Sequence, residues 1–114
     1  MHRTDHIALA RTNIKQADAK LREAGKEARK QTETGRFKML EYVVGASVHI
    51  GIAQTHVDQV LWAEQQESRE RGASREADAL ESAVMGAMDR LRNFMSTIMY
   101  QSLHAAGGVG RGRL

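Results

Sequence analysis

The chain has 114 residues, 41% hydrophobic but only 4% aromatic, with no proline and no cysteine. That length holds one domain and a core of modest size, built from Ala, Val, Ile, Leu and Met rather than from large rings. The lack of cysteine excludes a disulfide framework, a thiolate metal site and a thiol nucleophile, and makes a reducing cytoplasm the expectation.

The net charge of +3 divides unevenly along the chain. Residues 1–38 carry ten Lys/Arg and five Asp/Glu, residues 39–89 carry three and nine, and residues 90–114 carry four and none. Basic ends around an acidic middle suit self-complementary packing as well as phosphate binding. The N-terminal stretch is charged and lacks the apolar run of a signal peptide. The most apolar segment, 37–63, is interrupted by Lys38, Glu41, His49, Gln54, His56 and Asp58, which argues against a membrane span.

The first element is a helix over about 4–33, with Thr4 as its cap and Asp5 suited to the helix dipole. Ile7, Ala10, Ile14, Ala17, Leu21, Ala24 and Ala28 keep a strict 3-4 spacing, one coiled-coil-like seam with alanine at alternate positions. Gly35 is the candidate for the left-handed residue that ends it.

The second helix is expected over about 36–71. Val48, Ile50 and Ile52 alternate as a strand would, but Met39, Val43, Ala46, Ile50, Ala53, Val57 and Val60 hold the 3-4 spacing over a stretch too long for an ordinary strand. A second apolar stripe lies opposite: Phe37, Leu40, Val44, Val48, Gly51 and Trp62. Gly72 and Ser74 read as the turn into a third helix, over about 74–106. Its seam is Leu80, Val84, Ala87, Leu91, Phe94 and Ile98, beside a stripe of Met85, Met88, Met95, Met99 and Leu103. The last eight residues, 107–114, read as a flexible Gly/Arg tail.

The fold class is therefore all-α: residues 1–106 form an elongated antiparallel three-helix bundle with coiled-coil-like seams. More apolar surface is supplied than three helices need from one another, so a homo-oligomer is expected. Met85, Met88, Phe94, Met95, Met99 and Trp62 are the candidate protein interface, since methionine adapts to a partner surface.

The five histidines invite a metal reading, which the spacing restricts. His49 and His56 are seven apart, about 10 Å along a helix at 1.5 Å per residue, too far to share one ion with bonds of ~2.0–2.1 Å. They read first as residues at the rim of the seam. The functional alternative joins them with Tyr42 in a polar site for an anionic ligand or a second subunit, open to switching by pH. His2 and His6, with Asp5 between them, are no more than a weak metal pattern, and His104 suits a helix C-terminus. No metal and no cofactor is expected.

Enzyme signatures are absent: there is no H-E-x-x-H, no phosphate-binding loop and no paired Glu-x-x-His, so no catalytic residue is assigned. Arg11, Lys15, Arg22, Lys26, Arg29 and Lys30, with Arg111 and Arg113 in the tail, are the candidate nucleic-acid contacts. Interspersed Asp18, Glu23, Glu27 and Glu33 oppose that role by pairing with them, and no aromatic residue interleaves to stack on bases. The expectation is a small non-enzymatic accessory protein of bacterial or phage kind, an adaptor, assembly factor or inhibitor of a larger machine, that binds itself and another protein. The alternatives are a nucleic-acid-binding accessory protein using the first helix and tail, or sequestration of a small anionic ligand between subunits.

Overall fold

The computed structural model describes residues 2–67 and 75–111, with side chains described over 2–66 and 76–98. Three helices follow in order: α1 (Arg3–Arg29), α2 (Glu33–Glu67) and α3 (Arg75–Arg111). No strand occurs among the described residues, so the alternating valines and isoleucines of 41–57 are helical throughout. The molecule measures 66 × 26 × 14 Å.

α2 runs back along α1, and α3 returns parallel to α1. Arg3 meets both Glu64 and Glu76 at one end, Asp18 meets Arg90 midway, and Gly25 lies beside Phe94 towards the other end. The α1 seam is buried as its spacing requires, from Ile7 through Ala10, Ile14, Ala17 and Leu21 to Ala24. It packs on Met39, Val43, Ala46, Ile50, Ala53, Val57 and Val60 of α2, and Ala77, Leu80, Val84 and Ala87 of α3 complete the core. The largest fully buried side chains are three valines, Val57, Val60 and Val84. A core so poor in bulk can be filled only if the helix backbones lie close, and the alanines of the seams allow that.

The first connection differs from the sequence expectation. α1 ends at Arg29, four residues early, and Gln31 rather than Gly35 takes the left-handed conformation, with φ of 53°. The Lys30 and Gln31 N–H groups close on the carbonyls of Glu27 and Ala28. Thr32 then caps α2, its Oγ1 accepting the Gly35 N–H at 2.8 Å. Gly35 is glycine for another reason: a Cβ there would stand 2.8 Å from the Glu27 carbonyl oxygen and from Thr32 Oγ1. It lets the first turn of α2 cross the last turn of α1.

Two further boundaries move. Thr4 lies inside the first turn of α1, and His2 caps it, with the His2 N–H donating to the Asp5 carboxylate at 3.1 Å. α3 extends to Arg111, through most of the glycine-rich segment read as a tail. The Gly72 and Ser74 caps lie outside the described residues.

A non-glycine residue in the left-handed region is strained, and Gly35 has no room for a side chain. Gln31→Gly should therefore raise the unfolding free energy by about 0.5–1 kcal/mol. Gly35→Ala should lower it by about 1–3 kcal/mol, the usual range of overpacking. Urea denaturation of the two variants beside the parent checks both signs.

Candidate functional site

His49 and His56 come to lie along one flank of the α1–α2 seam, each facing a residue of α1. His56 Nδ1 is 2.8 Å from His6 Nδ1. One heptad on, His49 Nδ1 is 2.7 Å from Asn13 Oδ1, while Asn13 Nδ2 donates to the Leu9 carbonyl at 2.8 Å. One heptad further, the Lys20 ammonium stands 5.9 Å from the centre of the Tyr42 ring, within cation–π range. The Lys20 stem fills the space left by Gly45, where a Cβ would meet Lys20 Cδ at 2.6 Å.

These contacts are three rungs of one ladder. Residues 6, 13 and 20 step forward along α1 as 56, 49 and 42 step back along α2, seven residues at a time. Tyr42, His49 and His56, the residues proposed for a ligand or inter-subunit site, thus each engage a partner within the chain. Their α1 partners His6, Asn13 and Lys20 escaped the sequence reading, although the matching heptad spacing of 6/13/20 and 42/49/56 was there to be seen.

His6 and His56 form a special rung. Two Nδ1 atoms at 2.8 Å share one proton, so one ring donates and the other accepts. Burial, and then the neighbouring His6, hold His56 below its ordinary value of 6.5. His49 Nδ1 faces the amide oxygen of Asn13, which can only accept, so the imidazole N–H donates there. Among the described residues no group of three or more His, Cys, Asp or Glu side chains is placed to hold a metal ion.

Beyond the ladder, Arg3 donates to buried Glu64 at 2.9 Å, and Arg11 meets Glu76 at 3.2 Å. A hollow of about 280 Å³ lies there, lined by Arg3, Thr4, Ile7, Ala8, Arg11 and Glu76. Its charged groups are already engaged across α1, α2 and α3. Two turns further along the same flank of α1, Arg90 grips Asp18 with two hydrogen bonds of 2.8 and 3.0 Å.

The candidate nucleic-acid contacts divide similarly. Arg11, Lys26 and Lys30 pair with Glu76, Glu23 and Glu27. Lys15, Arg22 and Arg29 are exposed. The Arg111 side chain and Arg113 lie outside what the structure describes.

The candidate protein interface separates too. Met88 and Phe94 pack against the main core, and Phe94 and Met95 against the smaller cluster around Ala24, Met39 and Val43. Met85 and Trp62 remain in water, 58% and 60% exposed, and the Met99 side chain is outside the described set. The outer stripe of α2 is the larger apolar surface. Phe37, Leu40, Val44, Val48 and Ile52 are 64%, 46%, 61%, 54% and 39% exposed, in one band on the side of α2 away from α1.

Comparison with protein-family models, with characterised proteins and with solved structures finds no match for this chain. No helix among the described residues is long and apolar enough to cross a membrane.

The lowered value of His56 sets a direction for stability. The folded state favours the neutral ring, so the unfolded chain binds more protons just below pH 6.5. The contribution is present above 6.5, falls as pH drops below it towards the folded-state value, and is then constant. The thermal midpoint should accordingly begin to fall below about pH 6.5; His56→Gln should remove that step, and His6→Gln, which leaves the larger cause in place, should only shrink it. A series of melts between about pH 8 and 5, with His49→Gln as the variant that keeps the step, checks it.

Proposed function

We propose that this chain is a non-enzymatic accessory protein that works by binding other polypeptides, with the outer face of α2 as its binding surface. The observation that supports this most strongly is the band of five large apolar side chains, Phe37, Leu40, Val44, Val48 and Ile52, left in water while alanines fill the core. Contiguous apolar patches of this size on a folded domain commonly mark interaction sites. The band keeps a helical 3-4 rhythm, so the surface suited to it is another amphipathic helix, docked in coiled-coil fashion.

Self-association through this face, an oligomer of three-helix units, is one way of using it, and engagement of a larger assembly as an adaptor, assembly factor or inhibitor is another. The alternatives fare worse. The histidine ladder is engaged within the chain, which argues against a ligand site at Tyr42, His49 and His56. Half of the α1 cations named as nucleic-acid contacts are paired with carboxylates, which argues against a phosphate-binding face.

Site-specific photo-cross-linking in living cells tests the proposal. A photoreactive residue at Val44 or Val48 should give polypeptide adducts, and the same residue at Lys15 or Arg22 should not. Val44→Glu combined with Val48→Glu should abolish adduct formation from Phe37 while leaving the helical content unchanged, since both sites are exposed on the single chain. Equal labelling at all positions, or none at the α2 face, would sink the assignment.

A further inference from the structure

We infer that the partner of the α2 face is a second copy of this chain, lying antiparallel across a two-fold axis beside Ser47. The inference rests on the reading of that face as a binding surface.

Charge is the first argument. Arg36 and Asp58 stand at opposite ends of the apolar band and are both exposed. They are separated by 22 residues, six turns and only about 40° of rotation at 3.6 residues per turn, so they lie on one edge of the face. Ser47, exposed as well, is eleven residues from each and sits on that same edge. In an antiparallel pair related by a two-fold axis, like edges meet and residues equidistant from the axis face each other. Arg36 of one copy then meets Asp58 of the other, at both ends of the contact. A parallel pair would bring this edge against the opposite edge of the second copy and hold Arg36 and Asp58 of the two copies apart by the length of the band. Neither residue forms an ion pair among the described residues; Asp58 accepts only from Gln54, at 2.8 Å.

The second argument is Gly51. It lies in the interior of α2, where glycine weakens a helix. A Cβ there would meet nothing within 4 Å, so no neighbour within the chain requires glycine. In the antiparallel register Gly51 comes opposite position 43 of the second copy, two residues or about 3 Å along the axis from Glu41, the one charged residue within the band, and its missing side chain leaves room for the glutamate stem. Phe37 comes opposite position 57, two residues from Thr55, and Val44 opposite position 50, two residues from Val48. The rest of the face, Ser47, Val48, Gly51, Ile52 and Thr55, is uncharged and meets its own copy without like-charge conflict.

Area is consistent with this. Phe37, Leu40, Val44, Val48, Ile52 and Trp62 expose on the order of 500 Å² of apolar side chain, judged against 150–250 Å² for a whole aromatic. With the polar rim added, the face approaches the ~800 Å² per partner of a standard interface.

The cysteine-free chain makes the test direct. Single cysteines are placed at Ser47, Phe37 or Thr55 of the full-length protein and treated with a short thiol-to-thiol cross-linker. Ser47→Cys should cross-link to itself. Phe37→Cys should not, because its two copies would be about 30 Å apart at 1.5 Å per residue, but a mixture of Phe37→Cys with Thr55→Cys should give the mixed dimer. In sedimentation equilibrium, Arg36→Asp or Asp58→Arg alone should weaken the dimer about tenfold, and the double reversal should restore most of the affinity.

Self-cross-linking of Phe37→Cys and of Thr55→Cys would mean a parallel pair and overturn the inference. So would a monomer at tens of micromolar with no cross-link at any position. In that case adducts of foreign mass from the α2 face in cells would leave the binding assignment standing, whereas no adducts would remove both.

Discussion

Alanine at alternate positions of the α1 and α2 seams sets the terms for everything else. Ala10 and Ala17 share the core with Ala46 and Ala53, and Ala24 lies with Met39 and Val43; all five alanines are fully buried, and among the described residues nothing larger than valine is wholly enclosed. Small seam residues draw two backbones together, and that brings the flanking side chains of one helix within reach of the other. The ladder of His6–His56, Asn13–His49 and Lys20–Tyr42 is a consequence. It also supplies what an alanine seam lacks. A heptad seam slid by seven residues buries much the same apolar surface, so burial alone leaves the register weakly fixed. A polar rung that must find its own partner separates one register from the next, the best-attested use of polar groups in helical seams.

The connection between α1 and α2 serves the same end. Gln31 in the left-handed region and Thr32 as the α2 cap place the turn, and Gly35 lets the helices meet directly behind it. With the turn at 30–32, residue 6 falls opposite 56. With the turn near 34–35, as Gly35 alone suggests, the pairing would slip by one heptad and His56 would face Asn13. Both arrangements bury the same seam.

That explains which parts of the fold were legible in the sequence. The three helices, the seam residues and the exposed α2 stripe all follow from apolar spacing, which reports faces directly. The rungs were half legible: the heptads 6/13/20 and 42/49/56 are visible, but which member faces which depends on register, and register hangs on a turn whose left-handed residue is a glutamine where glycine is usual. The methionine stripe is a different case. Apolar width on α3 was visible, but its use was not: Met88, Phe94 and Met95 are taken up by the α1–α2 pair, and only Met85 among the described methionines of that stripe stays in water. A stripe read from one helix cannot say which of several neighbours will cover it.

The exposure of the outer α2 face follows from the same geometry. α2 carries apolar residues around most of its circumference, and a helix of that kind ordinarily lies at the centre of its fold. Here α1 and α3 both pack from one side. Arg3–Glu64, Arg11–Glu76 and Arg90–Asp18 tie the three helices together and give α3 a fixed seat beside α1. Moving α3 to the far side of α2 would cover Phe37, Val44 and Val48, but would separate Glu76 from Arg11 and Arg90 from Asp18 and leave the α1 seam half open. The ion pairs between helices therefore decide more than local stability. They help decide which face of α2 the core consumes and which it leaves exposed.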